Sequence, residues 1–247
     1  MIRTISALVM MATTLAAVPQ AQGRQGAAPS PRAAAPIDLT GTWVSVVTED
    51  WRWRMRTPPK GDYASLPLTD AAIKVANAWD PARDASSGEQ CRGYGAAAVM
   101  RLPGRIRVAW ENDTALKIET EAGTQTRLLQ FGKPQQGSAP SWQGTSVAAW
   151  QPAGGRRGAA PNGGSLRVVT GNLRAGYLRK NGVPYSANAQ VTEFFNVVTD
   201  ATTKDTWLFV TTMVEDPQYL SVPRFVTSSH FKKTDGSTWN PTPCEAQ

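Results

Sequence analysis

The sequence predicts a mostly β domain of about eight to ten short strands, arranged as a sandwich or closed barrel, with one short helix. Three observations carry this. Segments rich in β-branched and aromatic residues recur from residue 42 to residue 232, bounded by Asn, Asp, Gly and Pro turns. Several of them alternate apolar with polar side chains, as over 105–110. A helix start and stop frame one segment, 70–79.

Taken in order, residues 42–47 open the set, with valines following Trp43. Over 51–56, Trp51, Trp53 and Met55 alternate with Arg52, Arg54 and Arg56. On a strand this puts the apolar side chains on one face and the arginines on the other. Thr69 is an N-cap for the helix over 70–79, and Asp80-Pro81 ends it. Residues 83–94 read as a loop. Strands over 105–110, around Leu116 and Ile118, and over 125–131 form a meander, turned at Asn112-Asp113 and at Gly123. Strands over 142–150 and 166–172 flank residues 152–164, PAGGRRGAAPNGG, a low-complexity loop. Asn181-Gly182 is a tight-turn signal. Strands over 189–199, 206–214 and 225–232 complete the set.

The first 23 residues read as a signal peptide. Arg3 supplies the positive start, residues 5–18 are apolar apart from Ser6, Thr13 and Thr14, and Ala21-Gln22-Gly23 offers small residues for cleavage. The apolar run is too short to span a bilayer, and no later run reaches ~18 residues. A periplasmic or extracellular chain without a transmembrane segment is expected. Residues 24–36, made of Ala, Pro, Gly, Gln, Ser and Arg, read as a flexible spacer. Residues 37–247 are then a single domain.

The chain carries 26 basic and 19 acidic residues, a formal charge of +7. Arg24, Arg32, Arg156 and Arg157 lie in segments read as loose, so tails and loops hold part of the excess. A nucleic-acid reader needs a basic face on a recognisable fold, and none is visible. The two cysteines, Cys91 and Cys244, pair most simply as a disulfide in an oxidising compartment.

Two resemblances sharpen the fold. Gly41-Thr42-Trp43 resembles the Gly-x-Trp opening of lipocalins, in which the Trp packs across the closed end of the barrel. It implies a lipocalin-like antiparallel barrel. Most of the chain after the spacer is also similar to a group of uncharacterised secreted bacterial β-rich proteins. The resemblance rests on that opening, on Cys91-Arg92-Gly93-Tyr94-Gly95, and on Gly144-Thr145-Ser146 running to Trp150. Leu166-Arg167-Val168-Val169-Thr170, Val191-Thr192-Glu193-Phe194-Phe195, and Asp216-Pro217-Gln218-Tyr219 with Pro223 continue it. The chain departs from the group after Trp150, where a Gly/Pro/Arg insert replaces a compact turn, and at Tyr185, where the group has His. This resemblance implies fold and location, and no activity.

Chemistry must be argued from residues. His230 is the lone histidine and the first candidate acid or base; on a strand it shares a face with Val226, Ser228 and Lys232. The bland reading is a strand histidine at a rim. Gly144-Thr145-Ser146 lacks the second glycine of a nucleophile elbow. One His and two Cys are too few for a common zinc site, and no phosphate or calcium loop appears, so no cofactor is called for. Glu193 inside an apolar strand, Glu49-Asp50 and Glu215-Asp216 are the candidate carboxylates. Glu193 on an outward face and Asp216 in a turn are their structural alternatives.

The Trp/Arg run is the strongest functional feature. Three arginines facing a dry core without partners would be too costly. Either they lie on a wet outer face, pairing with Glu119 and Glu121, or they line a polar cavity that takes an anion. The leading expectation is a binding module for a small, partly apolar ligand, the arginines suiting an anionic group. Trp51, Arg52, Trp53, Arg54 and Tyr63 are its candidate contacts. The alternatives are an isomerase or hydrolase using His230 and Glu193 inside the barrel, and an envelope interaction protein using the long loops.

Overall fold

The computed structural model describes residues 28–133, 138–153 and 163–246. The signal peptide read at 1–23 and most of the loop read at 152–164 lie outside the described residues. Within them the chain runs β1 (Gly41–Val46), α1 (Trp51–Arg54), α2 (Asp70–Asn77), α3 (Pro81–Ser86), β2 (Arg105–Asn112), β3 (Ala115–Thr120), β4 (Thr126–Phe131), β5 (Thr145–Pro152), β6 (Gly164–Gly171), β7 (Gly176–Arg179), β8 (Val183–Tyr185), β9 (Gln190–Thr199), β10 (Thr206–Glu215) and β11 (Phe225–Thr234).

The strands close a barrel in the order β1-β11-β10-β9-β6-β5-β4-β3-β2. The expectation of a mostly β barrel holds, with three short α-helices among the described residues instead of one. Closure comes from β1, which pairs with β11 at Trp43↔Lys233 and with β2 at Trp43↔Ile106. A closed barrel leaves no sheet edge to guard. Every neighbouring pair is antiparallel except β4 and β5, which pair in parallel at Leu129↔Ser146 and Phe131↔Ala148. The β7–β8 hairpin stands apart from the barrel as a second, two-stranded sheet.

The strands bury alternate residues as their period requires. Leu166 and Val168 of β6, Leu208 and Val210 of β10, and Phe231 of β11 point inward. With Trp43, Met100, Leu116, Ile118 and Phe195 they fill one continuous core. Trp43 is fully buried, and its Nε1 donates to the Leu39 carbonyl at 3.0 Å. Trp110, Phe131 and Trp150 stack beside this core, and Trp150 Nε1 donates to the Pro31 carbonyl at 2.7 Å. Residues 28–36, the end of the segment read as spacer, are thus fastened against the barrel. The Arg32 amide adds a bond to the Asp113 carbonyl.

A second cluster of Ala76, Leu173, Leu178, Tyr185, Val191, Val214 and Leu220 joins α2 and the hairpin to the barrel. Thr69 caps α2 as expected, its Oγ1 accepting from the Ala72 amide at 3.2 Å. The helix stops at Asn77, which frees Trp79 to pack under the hairpin turn. Gly182 occupies that turn at φ 84°, where a Cβ would stand 2.3 Å from Trp79. Only glycine accepts both the conformation and the approach.

Two local readings need correction. Residues 51–54 are a turn of helix, not a strand. Asp50 takes a left-handed conformation, and its carbonyl accepts from the amides of Trp53 and Arg54. A helix separates what a strand would have aligned: Arg54 is buried, while Trp51 is 66% and Met55 57% exposed. The second correction concerns 83–94, read as a loop. It holds most of α3 and a 3-10 turn over Gln90–Tyr94. Asp80 starts α3, accepting from the amides of Ala82 and Arg83, with Pro81 in the first helical turn.

Candidate functional site

A cleft of about 550 Å³ lies outside the barrel, between α1, the 3-10 turns of 90–101 and the C-terminal tail. Met55, Arg56, Tyr94, Pro103, Lys180 and Thr242 line it. It shares Arg54, Thr57, Leu102 and Lys180 with a narrower recess of about 40 Å³, whose walls add Trp53, Arg101 and Arg179. Five of the lining side chains are cations, delivered by three segments: α1 and its extension, the turn Val99–Arg101, and the end of β7.

Local geometry explains how each cation is held. The Arg54 side chain is 3% exposed. Its Nε donates to the Arg101 carbonyl at 2.8 Å and its Nη1 to Glu49. Arg101 Nη2 donates to Asp50 Oδ2 at 2.6 Å. Arg179 Nη1 donates to the Ala64 carbonyl at 3.1 Å, and its guanidinium lies 5.3 Å from the Trp53 ring centroid. Arg52 approaches the same ring at 5.6 Å, so Trp53 sits between two cations. Trp53 is fixed by its Nε1, which donates to Asp62. Lys180 Nζ stands 5.0 Å over Tyr94.

This crowding has an electrostatic signature. Burial, then the neighbouring Arg101, pulls Arg179 down to about 10, which still leaves it a cation at neutral pH. The same two causes lower Arg54, with Glu49 and Asp50 opposing them. Arg54 Nη2 and Arg101 Nη1 are buried and have no hydrogen-bond partner among the described residues. Buried, unsatisfied donors on cations are costly. An anion in the recess would offset the gathered positive charge.

Of the residues picked from sequence, Trp53 and Arg54 line this recess. Arg52 packs behind Trp53 and pairs with Asp62 at 3.2 Å. Trp51 points to solvent. Tyr63 is elsewhere, its hydroxyl donating to Asn77 Oδ1 at 2.8 Å. The arginines do not pair with Glu119 and Glu121: Glu119 lies beside Lys117, and Glu121 beside Arg105. Arg101, Arg179 and Lys180 were missed. Arg101 lies in one connection and the adjacent Arg179 and Lys180 in another, and only the latter pair, next to the Asn181-Gly182 turn, borders a feature the sequence marks.

His230 and Glu193 are not brought together. Glu193 pairs across the sheet with Thr212, which pairs with Thr227. His230 is three residues on from Thr227 and so faces the other side of the wall. There its Nδ1 lies 3.1 Å from Thr48 Oγ1 and its Nε2 3.0 Å from Ser228 Oγ, with the ring edge-on to Phe209. Glu193 is fully buried in the barrel, bound through both carboxylate oxygens to Arg127 at 3.0 and 2.5 Å. Arg127 also reaches Thr170 Oγ1, itself 2.8 Å from Ser146 Oγ. Arg127 Nε is left without a partner among the described residues. The burial of Glu193 overturns its outward-face alternative.

Cys91 and Cys244 are disulfide-bonded, which fits an oxidising compartment. No helix among the described residues is long and apolar enough to cross a membrane. No family model matches this chain, and neither a curated protein nor a solved structure does.

Proposed function

We propose that this protein is a secreted or periplasmic binding module for a small, partly apolar anion, held in the cleft beside the barrel. One observation carries the reading: a single recess gathers Arg54, Arg101, Arg179 and Lys180 around Trp53, and Arg54 and Arg101 each keep a buried N–H with no hydrogen-bond partner among the described residues. The cations supply charge and directed donors, and Trp53 and Leu102 supply apolar contact. The lumen is packed with side chains from Trp43 to Phe231, which supports a site on the barrel's flank rather than in its interior. The disulfide supports the location.

Calorimetric titration with anilinonaphthalene sulfonate, an aromatic anion, tests this. Binding near one equivalent is expected, weakening as salt is raised. Lys180→Gln should cost about tenfold in affinity, near 1.4 kcal/mol. The pH dependence has a definite sign. A bound anion favours protonated Arg179, so affinity should hold through neutral pH and fall as pH rises through about 10. Equal affinity in wild type and Lys180→Gln would reject the cleft as the site.

A further inference from the structure

The rim of the cleft carries a feature that a site for free solutes does not need. Trp51 and Met55 lie one helical turn apart, joined by the Met55 amide donating to the Trp51 carbonyl at 2.9 Å, and both are more than half exposed. Residues one turn apart share a face. Next to this apolar pair in the chain stand Arg52, with 69% of its side chain exposed, and the exposed Arg56. The nearby carboxylates are engaged: Glu49 with Arg54, Asp50 with Arg101, Asp62 with Arg52 and Trp53. Glu245 is the acidic residue of the cleft wall. An exposed Trp and Met, flanked by Arg52 and Arg56 beside the cationic cleft, match the layered chemistry of a bilayer surface. The Trp ring suits the interface, and the cations suit lipid phosphates.

We propose that the Trp51–Arg56 edge docks this protein on a membrane surface bearing anionic lipid, with a lipid headgroup seated in the cleft of Arg54, Arg101, Arg179 and Lys180. The proposal rests on the cleft being an anion site and names the source of the anion. Trp51 and Met55 enter the headgroup layer. The cations outside the cleft draw the protein down, and the recess receives one phosphate. Trp51 is the residue that separates docking from anion capture, because it does not line the cleft.

The test is co-sedimentation of the full chain with vesicles of phosphatidylcholine alone and of phosphatidylcholine mixed with phosphatidylglycerol. The wild type should sediment with the anionic vesicles and stay in solution with the neutral ones. Trp51→Ser should weaken sedimentation by about tenfold and leave affinity for anilinonaphthalene sulfonate unchanged. Lys180→Gln should weaken both. Sulfonate binding without sedimentation on either vesicle would overturn the docking proposal and leave the anion site standing. Trp51→Ser sedimenting like wild type would overturn it as well. So would Lys180→Gln losing sulfonate while keeping vesicles. Loss of both kinds of binding in the wild type would overturn the anion site too.

Discussion

Glu193 illustrates what a single residue's orientation decides. Its side chain and that of Arg127 are wholly buried and joined by two hydrogen bonds. Removing one partner of such a pair strands the other's charge. Glu193→Gln should therefore lower stability by about 3–5 kcal/mol, read as a drop in urea midpoint. Replacing both Glu193 and Arg127 by leucine should recover most of that loss; no recovery would mean the pair does more than neutralise itself. Sequence could not orient Glu193, because β9 is apolar on both faces. Val191, Phe195 and Val197 alternate with Phe194 and Val198, so no alternation reports which side turns inward. Arg54 was ambiguous for a related reason. Its partners, the Glu49 carboxylate and the Arg101 carbonyl, include one far along the chain.

At the scale of elements, regular strands and the capped helix were readable, and the connections were not. A β-branched strand such as Thr206–Glu215 signals itself by period and composition. The run at 51–56 imitates a strand because Trp and Arg happen to alternate, whereas a four-residue helix is decided by the backbone bonds around Asp50. Short helices have little intrinsic signal, since nucleation is costly and packing must supply the stability. The β7–β8 turn is the reverse case. Asn181-Gly182 announced it, and the structure adds why glycine is needed, since Trp79 fills the space beside it. Gly182→Ala should cost about 1–3 kcal/mol in thermal or urea unfolding. It should also loosen Arg179 and Lys180, which the hairpin carries into the cleft. Unchanged stability would show that Trp79 yields without penalty.

For the whole molecule, the disulfide joins residues 153 apart and ties the tail to the 3-10 turn that precedes β2. Hydrogen bonds continue the fastening: the Asn240 amide donates to Glu121 Oε1 at 2.6 Å, and the Thr242 amide to the Glu121 carbonyl at 2.8 Å. Closing so long a loop restricts the unfolded chain far more than the folded one. The Cys91→Ser/Cys244→Ser variant should lose about 2–5 kcal/mol on equilibrium unfolding. An unchanged midpoint would mean the tail's hydrogen bonds suffice. Thr242 and Pro243 also wall the cleft, so the bond that stabilises the domain shapes the candidate site.

The sequence by itself determined the β-rich class, the capped helix, the Asn181-Gly182 turn, the pairing of Cys91 with Cys244, and an arginine-tryptophan run worth attention. These are local signals, written in period, composition and turn chemistry, or in a count that leaves one partner. The closure order, the parallel β4–β5 contact, the inward turn of Glu193 and the gathering of Arg54, Arg101, Arg179 and Lys180 were decided only by the tertiary structure. The physical reason is that each depends on which distant segments share a desolvated space. Charge and burial energies there are set by neighbours that no local stretch of sequence contains.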